Sequence, residues 1–204
     1  MKKSLDEHAD RFSDSAAEYD ENQDSPEYRA AADLVVDHAA PNPADTVLDL
    51  GTGTGAIAFG LAAEAGRVIG RDISEGMLEQ ATRKAEECAV DSIEFGPGRF
   101  REPNVSEDID IVTSNFAMHH LGDEEKREAI EVIAEMRPRR IVLGDVMFFG
   151  DPDPDEPFYS PEVDDPATVG VLVDAFTDSG YAITAVELIA EQVGVIVAEQ
   201  TESC

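Results

Sequence analysis

The feature that most constrains this chain is a short apolar run, TVLDL at 46–50, that leads directly into the glycine-rich segment GTGTG at 51–55. A mostly apolar stretch at 55–65 follows at once and has the length of a helix. Glycines between a strand and a helix let the backbone turn sharply, and the helix N-terminus then offers free N–H groups to a ligand. The sequence here predicts a strand, a ligand-binding loop and a helix in succession.

The rest of the chain alternates β-rich and helical runs, the order that a parallel sheet with crossover helices requires. Further strands are predicted at 67–72, 92–96, 109–114 and 140–147, and helices at 74–89 with Ser74 as N-cap, 123–136, and 166–179 with Gly180 as its stop. The runs 181–190 and 193–199 are too close in sequence to be anything but antiparallel neighbours. The predicted fold is α/β: a Rossmann-like, mostly parallel seven-stranded sheet with an antiparallel C-terminal hairpin and helices on both faces.

An N-terminal segment precedes this core. Residues 4–40 repeat apolar side chains at three- and four-residue steps, broken by a turn at 22–26, and this pattern predicts a helical arm. We expect one domain, 1–204, made of the arm at 1–40 and a cofactor-binding core at 41–204.

A loop is predicted at 150–166, where five prolines and seven acidic residues occur together. Such a loop is consistent either with a lid over the binding site or with a disordered segment, and the sequence does not choose between them. It is expected to be exposed except at Phe158 and Tyr159.

Charge limits the possible partners. Asp and Glu number 45 against 15 Lys and Arg, which gives a formal net charge of −30, and no basic residue follows Arg140. Such a chain repels phosphate backbones and anionic membranes, so neither nucleic acid nor a membrane is an expected partner. The even spread of acid and the scarcity of lysine favour the cytosol of an extreme halophile over a simply acidic protein, because concentrated salt screens the self-repulsion.

Two cysteines, Cys88 and Cys204, do not make a disulfide framework, and the absence of a Cys/His cluster argues against zinc. Cys88 lies on the apolar stripe of the helix predicted at 74–89, which predicts a buried thiol. The chain shows neither an apolar run of membrane-spanning length nor a signal peptide. A cytoplasmic protein without a bound metal is therefore expected.

The ligand of the glycine loop is indicated by two acids. Asp72 ends the second predicted strand about 20 residues after the loop, where a carboxylate can accept hydrogen bonds from ribose hydroxyls. The pattern from Gly51 to Ala56 also fits a dinucleotide fingerprint, but Asp49 would repel a pyrophosphate and attract the cationic groups of S-adenosylmethionine. An NAD(P)-dependent oxidoreductase remains the alternative, and it would require the sixth strand to be parallel.

With these residues in place, VLDLGTGTG resembles the first motif of the class I S-adenosylmethionine-dependent methyltransferases. The segment from Phe12 to Tyr19-Asp20 is similar to the F-x-x-x-A-x-x-YD arm of many small-molecule members, and VIGRDISEGMLEQA and SNFAMHHL match their second- and fourth-strand motifs. The resemblance covers the chain from about Phe12 to Gln200. It implies methyl transfer from S-adenosylmethionine to a small-molecule acceptor, or a non-catalytic cofactor-binding protein on the same fold.

The resemblance also implies a cofactor site in which Asp49 lies near the methionyl amino group and Asp72 holds the ribose. The residues it assigns to the cofactor are Tyr19, Asp49, Gly51, Thr52, Gly53, Gly55, Asp72, Ile73, Met77, Arg99, Phe100, Asn115 and Phe116. One departure is Arg99, where many members have an acid that accepts from the adenine amino group. Arg99 cannot accept a hydrogen bond, so adenine recognition is expected to fall to backbone atoms or a neighbour. Arg71 is a second departure, at a position that is usually apolar.

Methyl transfer requires mainly alignment of the acceptor and exclusion of water. His119 and His120 follow the fourth strand, where ligands gather in open α/β sheets, and one of them could take a proton from the acceptor. The His pair also belongs to the family's fourth-strand signature in members with unlike substrates, which fits a structural role equally well. Asp145, after strand five, is a weaker candidate, and Tyr19 is the first candidate to steady the sulfonium with its ring.

Overall fold

The computed structural model describes residues 5–22, 25–150 and 158–201. The N-terminal arm is helical, as predicted, and consists of α1 (Leu5–Ser15), a 3-10 helix (Ala16–Glu18), α2 (Tyr19–Asn22) and α3 (Pro26–Ala39). Ser25 caps α3, because its hydroxyl accepts a hydrogen bond from the backbone N–H of Tyr28 at 3.0 Å.

The core continues with β1 (Thr46–Leu50), α4 (Ala56–Leu61), β2 (Arg67–Asp72), α5 (Glu75–Cys88), β3 (Ile93–Pro97), β4 (Ile111–Asn115), a 3-10 helix (Met118–His120), α6 (Asp123–Glu135), β5 (Arg140–Phe148), β6 (Ala167–Thr168), α7 (Val169–Asp178), β7 (Tyr181–Ala190) and β8 (Val193–Gln200). Each predicted element is present, with ends displaced by a few residues. α7 begins later than predicted because 167–168 pairs with β5, after which the Thr168 hydroxyl caps the helix. Within the part of the chain that the structure describes, no helix has both the length and the apolar character needed to cross a bilayer.

The strands form one sheet in the order β3-β2-β1-β4-β5-β8-β7, with β6 beside β5. β1 to β5 are mutually parallel, whereas β8 runs antiparallel to both β5 and β7. The mostly parallel sheet with an antiparallel hairpin is thus confirmed, and the two-residue β6 adds an eighth strand to the seven predicted. The sixth predicted strand, 181–190, is β7, and because β8 is antiparallel to both β5 and β7, β7 runs in the same direction as β1 to β5. The direction of this strand therefore does not exclude the oxidoreductase alternative.

Helices cover both faces of the sheet. Val35 of α3 and Ile57 of α4 belong to the hydrophobic cluster on one face, and Ile130 of α6 and Phe176 of α7 to the cluster on the other. The chain continues from β1 to β2 on one side, and β4 lies on the other side of β1. The carboxyl ends of these strands therefore form the crevice in which open α/β sheets bind ligands.

The predicted burial of Cys88 is wrong, because this thiol is exposed. The buried residues of α5 are Met77 and Ala81, near its start, where the helix packs on the sheet and the arm. An apolar stripe shows which side of a helix faces inward, but it does not show how far the covering surface extends.

The acidic loop was predicted at 150–166, and its residues 151–157 lie outside the described residues. The structure therefore does not test whether this part of the loop is a lid. Phe158 is 38% exposed, contrary to the expectation of cover. Tyr159 is half-buried, and its ring lies 5.6 Å from that of Phe148.

Candidate active site

A cleft lies at the carboxyl ends of β1, β2 and β4, and the N-terminal arm covers it. Its empty space is about 1230 Å³, open solvent included. The predicted site residues that border it are Tyr19, Gly51, Thr52, Gly53, Asp72, Ile73, Met77, Arg99, Phe100, Asn115, Phe116 and His120. The other predicted residues, Asp49, Gly55 and His119, do not border the cleft.

The glycine loop is tied to the end of β2, because the backbone N–H groups of Gly51 and Thr52 both donate to the carbonyl of Arg71, at 2.8 and 3.1 Å. Gly51 has a φ of +71°, and a Cβ there would lie 2.3 Å from Cβ of Ala117. Gly53 has a φ of +54°, and a Cβ there would meet nothing within 4 Å. Gly51 is thus required by packing, whereas Gly53 keeps its backbone open to the cleft.

Asp72 is positioned by the backbone around it. Its Oδ2 accepts from the N–H of Gly53 at 2.8 Å and its Oδ1 from the N–H of Ser74 at 2.9 Å. Burial raises the pKa of Asp72, against the opposing effect of these hydrogen bonds. Each carboxylate oxygen retains a lone pair, so Asp72 can still accept from two hydroxyl groups of a ligand.

Asp49 lies buried at the end of β1. Its Oδ1 accepts from the Thr113 hydroxyl at 2.9 Å, and its Oδ2 has no hydrogen-bond partner. Burial raises the pKa of Asp49 to about 7, against the opposing effect of the Thr52 and Thr113 hydroxyls, and the nearby carboxylate of Asp72 adds to the rise. Both amide atoms of Asn115, at the end of β4, are also buried and make no hydrogen bond of normal geometry, although the Tyr28 hydroxyl lies close by. Buried polar groups in native proteins are normally paired, so these atoms indicate a place for the polar end of a ligand.

Phe116 follows β4 in a strained conformation, with a φ of 52° in the left-handed region that side chains rarely adopt. Its backbone N–H donates to the carbonyl of Gly144 at 2.9 Å, and its ring lies 5.2 Å from that of Tyr28. Such strain is concentrated at functional sites. Tyr28 also borders the cleft but was not predicted there, since its only signal was a place on the apolar stripe of the arm.

The two histidines after β4 have different surroundings. His119 is buried behind the cleft wall, with its Nδ1 2.5 Å from Oδ1 of Asp145 and its backbone N–H donating to Oδ2 of the same carboxylate at 3.0 Å. His120 borders the cleft, and its Nδ1 lies 2.7 Å from Oδ1 of Asp164. Burial lowers the pKa of His120 to about 4, so the ring is neutral at neutral pH.

Asp164 belongs to the site but was not predicted, because it comes from an acidic loop distant in sequence. Its Oδ2 accepts from the backbone N–H of Ser160 at 2.8 Å, which fixes the carboxylate beside His120. Burial opposes the ionisation of Asp164, but the hydrogen bonds from His120 and Ser160 outweigh it, and the pKa is lowered. One ligand atom each from His119, His120 and Asp164 lie within 4.8 Å of one another, a spacing that a metal ion could also bridge.

At the far end of the cleft the backbones of Arg99 and Glu102 exchange two hydrogen bonds, of 2.9 and 3.1 Å. Glu102 borders the cleft here, so a carboxylate that can accept a hydrogen bond lies close to Arg99, whose side chain cannot accept one. Arg71, the second departure, is buried, and its Nη2 donates to Oε1 of Glu94 on the edge strand β3 at 2.8 Å.

The arm is fastened over the glycine loop. Oδ1 of Asp20, in α2, accepts from the Thr54 hydroxyl at 2.5 Å, and Oδ2 of Asp20 is bound by Nζ of Lys84. The hydroxyls of Ser13 and Ser74 are 2.9 Å apart. These contacts place Phe12 and Tyr19 along the edge of the cleft.

Comparison with known proteins points to one family. Residues 47–137 match a family model described as a methyltransferase domain. An uncharacterised methyltransferase of Bacillus velezensis is 31% identical over 191 residues, which cover 84% of this chain and 88% of the relative.

Solved structures share the fold at lower identity. A protein described as a methyltransferase, solved in complex with the Haloferax volcanii Trm112 methyltransferase activator, has a TM-score of 0.78 at 19% identity, over 94% of this chain and 98% of that one. Magnesium protoporphyrin IX methyltransferase from Synechocystis PCC 6803, solved with S-adenosylmethionine, has a TM-score of 0.66 at 23% identity, over 85% and 77%.

Proposed function

Because the chain belongs to the class I S-adenosylmethionine-dependent methyltransferases, we propose that it transfers a methyl group from S-adenosylmethionine to a small-molecule acceptor bound beneath the N-terminal arm. The observation that carries this proposal is Asp49, a buried carboxyl that lies below the glycine loop, behind the wall of the cleft. Its negative charge would attract the cationic amino-acid end of S-adenosylmethionine and repel a pyrophosphate.

The unpartnered atoms and the open backbone fit this cofactor. In the proposed arrangement Asp49 and Asn115 bind its amino-acid end, Asp72 accepts from its ribose, and Ile73 and Met77 flank its adenine. When bound, the cofactor supplies an electrophilic methyl group attached to a sulfonium. Glu102 is the candidate acceptor for the adenine amino group in place of an acid at position 99.

The chain's own part in the reaction is to orient the acceptor, exclude water and take up a proton. Phe12 and Tyr19 from the arm, with Phe116 below, enclose the space where the acceptor would lie, which favours alignment and removes solvent. His120, held by Asp164, is proposed to receive the acceptor's proton. His119 lies against Asp145 behind the wall of the cleft, and its proposed role is to hold the 3-10 helix in place. Of the two histidines, His120 is therefore the proposed catalytic residue.

The charge and the cysteines of the chain support a proposal about the environment in which the protein works. A formal net charge of −30 favours a concentrated salt environment and disfavours nucleic acid as a substrate. The thiol of Cys88 is exposed and unpaired with another cysteine, which suits a reducing cytoplasm.

The proposal is tested by following labelled methyl groups. The protein is incubated in about 2 M KCl with methyl-labelled S-adenosylmethionine and a cell extract, and small molecules are then separated from protein and nucleic acid. We expect label in the small-molecule fraction and none with Asp49→Asn. Label in the macromolecular fraction would contradict a small-molecule acceptor, and cofactor binding without any transfer would favour the non-catalytic alternative.

A further inference from the structure

The part of the cleft next to His120, here called the acceptor end, is walled by aromatic rings from separate elements. The ring of Phe12, from α1, lies 5.3 Å from that of His120 and 6.4 Å from that of Tyr19. Tyr28, from α3, and Phe116, after β4, form a second pair at 5.2 Å. Aromatic walls of this kind favour a planar apolar guest, which can contact several rings at once.

Basic side chains are few among the described residues that border the cleft. These side chains are those of Arg99 and Arg101, and both residues follow β3 in the chain. Arg101 is already bound to Glu128 at 2.6 Å and to Glu125 at 3.0 Å. An acidic acceptor would have to displace Glu125 or Glu128 to pair with Arg101, which disfavours a carboxylate or phosphate on the acceptor.

Two histidines, His8 and His120, border this end with their rings 5.1 Å apart, and the contact between His120 and Asp164 defines which nitrogen of His120 can accept a proton. The carboxylate of Asp164 can only accept a hydrogen bond, so the contact of 2.7 Å places the proton of the neutral His120 ring on Nδ1 and leaves Nε2 as the acceptor. A buried neutral imidazole removes a proton most readily from a hydroxyl that is already acidic. A phenol, with a pKa of about 10, meets this requirement far better than an aliphatic alcohol.

Resting on the function proposed above, we propose that the acceptor is a small uncharged aromatic molecule with a phenolic hydroxyl, seated between Phe12, Tyr19, Tyr28 and Phe116 with its hydroxyl at His120. In the reaction a bond forms between the phenolic oxygen and the methyl carbon, and the bond between that carbon and sulfur breaks with its electron pair remaining on sulfur. The hydroxyl proton passes to Nε2 of His120 and from there to solvent. The products are an aryl methyl ether, S-adenosylhomocysteine and one proton.

The class is tested by calorimetry on the full chain in concentrated KCl, first saturated with S-adenosylhomocysteine and then titrated with phenol, benzoate, benzylamine or cyclohexanol. We expect phenol to bind at least about tenfold more tightly than any of the other three. Tighter binding of benzoate, benzylamine or cyclohexanol, or no binding of phenol, would overturn the proposed class. Failure of S-adenosylhomocysteine to bind would instead contradict the cofactor site, so the two failures are distinguishable.

Turnover tests the role of His120. With phenol and S-adenosylmethionine, His120→Gln should lower the rate of ether formation by about 100-fold or more and leave the affinity for S-adenosylhomocysteine unchanged. His38→Gln is the matched control, because His38 pairs with Glu187 outside the cleft and should retain the wild-type rate. A wild-type rate in His120→Gln would overturn the assignment. A rate that is lost in a chelator and restored by a divalent ion would also overturn it, since the cluster with His119 would then hold a metal.

Discussion

The hydroxyl of Thr113 donates a hydrogen bond of 2.9 Å to Oδ1 of Asp49, and Oδ2 of the same carboxyl has no partner. The group is buried, and burial raises its pKa to about 7. An ionised carboxylate that has lost its water and is only half paired destabilises the folded protein. In the ligand-free protein the ionised Asp49 carboxylate therefore lowers the stability of the fold, and a cationic ligand bound nearby would offset this cost.

Asp49→Asn should stabilise the ligand-free protein at neutral pH while weakening S-adenosylmethionine binding. The pKa of Asp49 lies above its ordinary value of 3.8, so the unfolded chain loses this proton first as the pH rises. The resulting destabilisation grows between about pH 4 and about pH 7. Because the amide cannot ionise, the free energy of unfolding should rise by about 1–3 kcal/mol near pH 8 and by less near pH 5. Urea unfolding at both pH values measures this, and a variant less stable than the wild type near pH 8 would contradict it.

Gly53→Ala and Gly180→Ala separate backbone strain from ligand binding. Both glycines have a positive φ, of +54° and +87°, and an added Cβ would meet nothing within 4 Å at either site. Each alanine should therefore lower the free energy of unfolding by about 1 kcal/mol. Gly53 borders the cleft and Gly180 ends α7, so only Gly53→Ala should weaken S-adenosylmethionine binding, by about tenfold or more. Equal binding by the two variants would show that Gly53 does not face the cofactor.

Asp164→Asn should lower kcat by about tenfold or more and leave the KM for S-adenosylmethionine within about twofold. An asparagine can donate its N–H₂ to Nδ1 of His120, which would move the ring proton to Nε2 and remove the acceptor. In the wild type His120 is neutral above its pKa of about 4, so the rate should be level near neutral pH and fall as the pH approaches that value. These profiles are measured with an acceptor found in the labelled-methyl experiment. A parallel change in kcat and KM would indicate a merely structural role.

Added KCl should raise the midpoint of thermal unfolding by several degrees between about 0.1 M and about 2 M. The formal net charge of −30 makes the compact state self-repelling, and concentrated salt screens charges over a few ångströms. Differential scanning fluorimetry without cofactor measures this. A midpoint that is constant or falls with KCl would contradict the halophilic setting.

Local patterns in the sequence were sufficient to predict that Gly51, Gly53 and Asp72 border the cleft. The turn at Gly51 and Gly53 depends on residues adjacent in the chain, and Asp72 lies at a fixed distance from them because β2 is the strand next to β1. Ser74 could be predicted as an N-cap because the signal is local: a serine stands at the start of a helical pattern. Its hydroxyl accepts a hydrogen bond from the N–H of Met77 at 3.2 Å.

The acceptor end could not be predicted in the same way. The pairing of Asp164 with His120 joins a proline-rich loop to the end of β4, and neither segment has a periodic pattern that fixes its place. The separation of His119 from the cleft depends on Asp145 of β5, and sequence alone shows two equivalent adjacent histidines. Contacts between distant segments require the tertiary structure, as does the exposure of Cys88 beyond the packed part of α5.

Titration calorimetry in about 2 M KCl with S-adenosylmethionine, S-adenosylhomocysteine and NAD tests most directly whether the cleft is built for a sulfonium cofactor. For S-adenosylmethionine and S-adenosylhomocysteine we expect dissociation constants on the order of micromolar, which correspond to a binding free energy of about 8 kcal/mol in magnitude. We expect no binding of NAD. Asp72→Ala should weaken the binding of S-adenosylmethionine by about 1–3 kcal/mol through loss of the ribose contacts. Binding of NAD, or failure of the folded protein to bind either sulfur compound, would contradict the account.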